Sequence, residues 1–219
     1  MKKPRICTVI TRRDKTAIKK AEPFTDLYEV RIDLCGEGWQ EIAAQLGKPW
    51  IACARSAGEG GEWSGSEESR LELLAQAVEL GCDTVDIELR AANLSESIEM
   101  VKGRGAKCLI SLHLMDNTPP LGDLRKTVEE QLRHGADICK VITTAQKVED
   151  NLTALNLIRE FPAVRLVSFA MGTAGMVSRI MSPLVGGDFT YASIAEGRES
   201  APGQITLRQL TRIYEMMVK

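Results

Sequence analysis

Short runs rich in β-branched and apolar residues recur at 5–10, 27–33, 50–55, 84–89, 107–113, 138–143, 165–171 and 189–193. Each has the length and composition of a buried strand. Between them lie segments of helical spacing: Leu71, Leu74, Ala75 and Val78; Leu124, Val128 and Leu132; Val148, Leu152 and Leu155; Leu207, Leu210 and Tyr214. Strands separated by helices return in the same direction, so this order predicts a parallel sheet. Eight strand runs with a helix after the last predict closure into a (β/α)8 TIM barrel, one domain over 1–219. An open doubly wound sheet is the competing architecture, but no glycine-rich dinucleotide turn follows the first run and no Walker-type phosphate loop occurs.

Helix ends carry matching punctuation. Gly81-Cys82-Asp83 and Gly135-Ala136-Asp137 each follow a periodic segment and introduce a strand run. Ser64 and Glu67 have the spacing of a capping box ahead of the helix around Leu74. No linker, heptad run or low-complexity stretch divides the chain.

Composition narrows the function classes. With 28 basic and 30 acidic residues the net charge is -2, which offers no electrostatic case for nucleic acid or an acidic membrane surface. No stretch approaches the roughly 20 apolar residues of a membrane span, and the start MKKPRICTVITRRDK has too short an apolar core for a secretory signal. A cytoplasmic protein is expected. The six cysteines form no CxxC pair, and Cys7, Cys53, Cys108 and Cys139 sit inside strand runs, so all are expected reduced. His113 and His134 are the only histidines, neither beside ligand-spaced donors, so no metal is expected.

A barrel of this kind works at the C-terminal ends of its strands. Period two places Glu29, Arg31 and Asp33 on one face of the second run, Asp86 and Glu88 on the fourth, and Ser111 and His113 on the fifth. Lys140 stands alone among Ile138, Cys139, Val141 and Ile142. Such a lysine either snorkels out or closes a buried ion pair. Alternatively, burial and cations such as Arg31 or Arg55 depress its pKa, leaving an amine able to attack a ketone. His113 is either a satisfied core residue or a proton carrier on the neighbouring strand, whereas His134 suits a helix C-terminus. Glu59 belongs either to a flexible solvated loop or to a support for His113. Arg179 reads as a helix surface charge or an anion-binding group. Segment 200–204 reads as a plain connection or as a lid carrying Ser200 and Gln204.

The pieces Tyr28-Glu29-Val30-Arg31-Ile32-Asp33, Arg55-Ser56-Ala57-Gly58-Glu59-Gly60-Gly61, Asp86-Ile87-Glu88-Leu89, Ser111-Leu112-His113 with Thr118-Pro119, Lys140-Val141, Met171-Gly172 with Ser178-Arg179-Ile180, and Ser200-Ala201-Pro202-Gly203-Gln204 together resemble the type I 3-dehydroquinate dehydratases. The resemblance runs nearly end to end. It implies a hydro-lyase that forms a Schiff base between Lys140 and 3-dehydroquinate, with His113 moving protons and Glu59 orienting it. It further implies that Arg179 and Gln204 bind the substrate carboxylate with Ser200 nearby, that Glu29, Arg31 and Arg55 contact the ring hydroxyls, that no cofactor is needed, and that the protein is a homodimer. Three departures stand out. Leu112 and Leu114 flank His113 where the family more often carries polar or aromatic residues. The chain starts almost at its first strand, without the N-terminal barrel-closing hairpin of longer members. Thr8, or no residue, stands in for a first-strand serine.

Two other readings share these residues. A class I aldolase or transaldolase is also a Schiff-base barrel, and Gly186-Gly187 could serve it as a phosphate nest. A barrel that has lost catalysis and only binds is the other. The absence of a nucleotide fingerprint leads us to expect a monofunctional enzyme.

Overall fold

Alternating strands and helices run through the computed structural model, which describes residues 3–217. The strands are β1 (Ile6–Ile10), β2 (Leu27–Arg31), β3 (Trp50–Cys53), β4 (Thr84–Glu88), β5 (Lys107–His113), β6 (Ile138–Thr144), β7 (Leu166–Met171) and β8 (Thr190–Ser193), one for each expected run. They pair in parallel in the order β7-β6-β5-β4-β3-β2-β1-β8. Among the described residues no ladder joins β7 to β8, so the barrel is nearly closed. That seam is bridged by the Asp188 amide donating to the Leu166 carbonyl at 2.9 Å and by the edge-to-face pair Phe169–Tyr191 at 6.2 Å.

The helices are α1 (Lys15–Ala21), α2 (Ile32–Cys35), α3 (Trp39–Ala43), α4 (Glu67–Glu79), α5 (Leu94–Gly103), α6 (Leu121–Arg133), α7 (Asp150–Glu160), α8 (Met176–Met181) and α9 (Leu207–Met217). Periodicity indicated α4, α6, α7 and α9. α5 was not anticipated, although its buried Leu94, Ile98 and Val101 have helical spacing, and the remaining helices are short.

Three local expectations need correction. The cap of α4 is Ser66, whose hydroxyl accepts from the Ser69 amide at 3.2 Å, so Ser64 and Glu67 form no capping box. The buried face of α7 is Asn151, Ala154, Leu157 and Ile158, while Val148 and Leu152 are 64% and 61% exposed. Asn151 displaces the apolar stripe because its amide nitrogen donates to the Val148 and Ala174 carbonyls and its oxygen accepts from the Ser178 amide. Asp33 leaves the strand face of Glu29 and Arg31, because β2 ends at Arg31 and α2 begins.

The tripeptide punctuation has a physical basis. Gly81 and Gly135 take left-handed φ of 86° and 83°, a conformation that ends a helix without a Cβ clash. The following aspartates each accept an amide at the start of a neighbouring strand: Asp83 from Trp50, the first residue of β3, at 3.0 Å and Asp137 from Cys108, the second of β5, at 2.8 Å.

Strand side chains alternate between the helix layer and the barrel interior. The lower interior is apolar, built from residues such as Cys7, Val9, Leu27, Ile51 and Leu109. Thr8 faces outward, its hydroxyl 2.7 Å from that of Thr25, and so does not substitute for a site serine. All six cysteines are free, five of them buried. Among the described residues no strand precedes β1, and no helix is long and apolar enough to cross a membrane.

Candidate active site

At the C-terminal ends of the strands a cavity of about 80 Å³ is lined by Glu29, Arg31, Arg55, Glu59, His113, Lys140, Arg179, Ser200 and Gln204. All nine sequence-predicted site residues therefore converge. The apolar walls include Met115, Ile142, Phe169, Met171 and Tyr191.

Lys140 is buried at the floor. Its Nζ donates to Asp86 Oδ2 at 2.9 Å, lies 3.6 Å from Glu29 Oε2, and sits 4.4 Å from the centre of the Tyr191 ring. Burial pulls the lysine pKa down, but Asp86 and then Glu29 outweigh it and hold the ammonium above the usual lysine range. The expected net depression is thus overturned: Arg55 does lower the Lys140 pKa, but Asp86 and Glu29 raise it more. Arg31 is neutralised by a bidentate pair with Asp33 at 2.9 and 2.6 Å. Arg55 lies 2.7 Å from Asp86 and 3.2 Å from Glu88, and donates to the Ser111 hydroxyl at 2.8 Å.

Asp86 anchors this network. Ser111 donates to its Oδ1 at 2.6 Å. Burial would raise its pKa, yet Arg55 and Lys140 hold it far below the usual carboxylate range. Sequence reasoning placed Asp86 on the interior face without giving it a role. Tyr191 was missed altogether, because an inward aromatic on β8 looks like any core residue.

His113 ends β5, two residues beyond Ser111, which stands beside Lys140 in the β5–β6 register. Glu59 Oε2 accepts from both the His113 backbone amide (2.9 Å) and Nδ1 (2.8 Å). Burial, then Arg55 and Lys140, push the imidazole well below its usual pKa, so the ring is neutral. With Nδ1–H donated to Glu59, the Nε2 lone pair is free to take a proton. Glu59 itself is pushed up to about 7 by burial, against the pull of Arg55. The loop is solvated at Ala57, Gly58 and Gly60, but Glu59 itself is buried. Ala57–Glu59 forms a 3-10 turn that buries Glu59, Gly60 reverses the chain at φ 79°, and a Cβ on Gly61 would lie 2.1 Å from the Arg55 carbonyl.

Arg179, from α8, is buried rather than a helix surface charge. It stacks 4.5 Å from the Phe169 ring centre and donates to the Pro202 carbonyl at 3.2 Å, and its Nε has no partner among the described residues. Among the described residues it has no carboxylate partner, and burial lowers its pKa to about 10. Gln204 Oε1 accepts from the Ser200 amide and hydroxyl, folding 200–204 over the cavity. Gly203 closes that fold, since a Cβ there would lie 2.4 Å from the Gly172 carbonyl.

The donor atoms of Glu29, Cys53 and Asp86 lie within 4.8 Å of one another. A divalent cation there would face both Lys140 and Arg55, which already neutralise Asp86. These donors therefore suit the two side-chain cations better than a metal.

A family model described as type I 3-dehydroquinase matches residues 6–219. The chain belongs to the type I 3-dehydroquinase family. It is 46% identical over 214 residues to a 3-dehydroquinate dehydratase of Dehalococcoides mccartyi, covering 98% of this chain and 96% of that one. It is 36% identical to a 3-dehydroquinate dehydratase of Methanosarcina mazei, covering 99% and 96% respectively. The 3-dehydroquinate dehydratase structure from Geobacillus kaustophilus superposes with a TM-score of 0.83 at 27% identity, covering all of this chain and 93% of that one. This type I 3-dehydroquinase carries Gly186-Gly187 between α8 and β8, at the opposite end of the barrel from Lys140. No phosphate nest forms there for the aldolase reading, since Gly187 donates its amide to Ser182.

Proposed function

We propose that this chain dehydrates 3-dehydroquinate to 3-dehydroshikimate through a Schiff base on Lys140, with no metal or organic cofactor. The observation that carries this reading is the convergence of Lys140 with a neutral, Glu59-held His113 and the uncompensated cation Arg179 around one cavity.

Arg179 binds the substrate carboxylate, replacing water with a charge-assisted pair, and the Ser200–Gln204 fold closes beside it. Glu29, Arg31 and Arg55 face the ring hydroxyls. The Lys140 ammonium gives up a proton, Nζ attacks the ring ketone, and the ketone oxygen departs as water carrying that proton and one of the two hydrogens left on Nζ. The resulting iminium withdraws electrons from the adjacent C–H. His113 Nε2 takes that proton, the freed electron pair forms the ring C=C, and the leaving hydroxyl takes the proton back from His113 and departs as water. A further water hydrolyses the iminium and restores Lys140. The net change is loss of one water from the substrate.

Incubation with 3-dehydroquinate and borohydride, read by intact mass and peptide mapping, tests this. A reduced adduct on the Lys140 peptide of the wild type, absent from Lys140→Ala, is expected. Absence of an adduct from folded wild-type protein with authentic substrate would sink the reading.

A further inference from the structure

Tyr191 is the inward-facing aromatic of β8, and two neighbours fix its ring edge-to-face: Phe189 at 5.4 Å and 71°, and Phe169 at 6.2 Å and 65°. The face so presented has the Lys140 nitrogen 4.4 Å from its centre. A cation at that distance is attracted by the ring quadrupole, most strongly where water is excluded. Both residues are buried, Lys140 at 4% and Tyr191 at 4% exposure. The hydroxyl of Tyr191 has no hydrogen-bond partner among the described residues, so the ring supplies the contact to Lys140.

We infer that Tyr191 is a positioning residue for the Lys140 nitrogen, its ring face holding the positive charge there from ammonium to iminium. This rests on the Schiff-base reading above. Condensation of an ammonium with a ketone exchanges one nitrogen cation for another and releases water, so the charge on Nζ is the same before and after. Asp86 meets that charge through a directed hydrogen bond. The iminium has at most one N–H left to donate, whereas the ring requires none, so the ring continues to hold the cation when hydrogen bonds are lost. Between these two states the nitrogen passes through a neutral amine, which gains nothing from the ring.

The test reads the pH midpoint for borohydride-trapped adduct formation at limiting 3-dehydroquinate. It compares wild type, Tyr191→Phe, and variants carrying progressively fluorinated phenylalanines at position 191, with Tyr191→Met as the non-aromatic limit. The other groups facing Lys140 remain constant throughout: Glu29 from β2, Cys53 and Arg55 from β3's end, Asp86 from β4, His113 from β5 and Cys7 from β1. Fluorination removes negative potential from the ring face and favours the free amine. The midpoint is therefore expected to stay near wild type in Tyr191→Phe and to fall stepwise with fluorination, by about one pH unit, a tenfold change, overall. Fluorinated rings keep the shape of the residue, so a packing role would leave the midpoint in place even if Tyr191→Met fails to fold. A midpoint insensitive to fluorination, with the adduct still on Lys140, overturns the inference and leaves the Schiff base standing. No adduct in the wild type overturns both.

Discussion

One carboxylate oxygen of Glu59 receives both the backbone amide and Nδ1 of His113, at 2.9 and 2.8 Å. This double acceptance fixes the ring's orientation and its tautomer together, so the state of Glu59 governs whether His113 Nε2 is available as a base.

Burial pushes Glu59 up to about 7, so its ionised, accepting form grows in as pH rises through that value. We expect kcat/KM to show an acid limb near pH 7. In Glu59→Gln that limb should flatten, with kcat reduced on the order of ten-fold, a part of the 10²–10⁴-fold that a positioned acid–base contributes. Steady-state pH profiles of both proteins check this. The stability sign is opposite. The folded pKa lies above the unfolded one, so the contribution of Glu59 is complete below the unfolded value and is lost as pH rises through about 7.

Asp86 is the counter-charge for two buried cations, Arg55 at 2.7 Å and Lys140 at 2.9 Å. Asp86→Asn should destabilise the fold by about 3–5 kcal/mol, because it leaves both cations underpaired in a dry interior; urea denaturation measures it. The same change removes the main influence raising the Lys140 pKa, so adduct trapping should extend to lower pH. In the wild type the Asp86 pKa is held down. Its stabilisation is present above the unfolded carboxylate value and is lost as pH falls toward the depressed folded value.

Among the described residues Arg179 has no carboxylate partner, at a cost to the fold that burial imposes. Arg179→Met should raise the melting temperature by about 2–4 °C, the shift that about 1 kcal/mol produces in a chain of this size. It should also raise KM roughly 100-fold, the scale of a charge-assisted pair worth about 3 kcal/mol. Calorimetry and initial rates on one preparation separate the effects. A lower melting temperature would show that Arg179 stabilises the empty fold.

The eight strands were legible because each is a short apolar run, two of them introduced by Gly81-Cys82-Asp83 and Gly135-Ala136-Asp137. Shared faces were legible because side chains alternate with period two, which grouped Glu29 with Arg31, Asp86 with Glu88 and Ser111 with His113, though it wrongly added Asp33 to the first group. Resemblance of the ordered pieces then indicated the remaining site residues. The α7 face was not legible: its buried stripe depends on Asn151 bonding across to the α8 region, a partner that helical spacing within α7 cannot reveal.

Local pattern determined which residues enter the barrel and at which end, since period and punctuation are properties of neighbouring residues. The charge state of Lys140 was settled through space. Arg31, which in sequence looked able to depress its pKa, is paired with Asp33, and the lowering by Arg55 is outweighed by Glu29 and by Asp86, which is 54 residues away in sequence but stands 2.9 Å from the ammonium. Coulomb energy falls with spatial distance and is strengthened by exclusion of water. Only the closed barrel sets both.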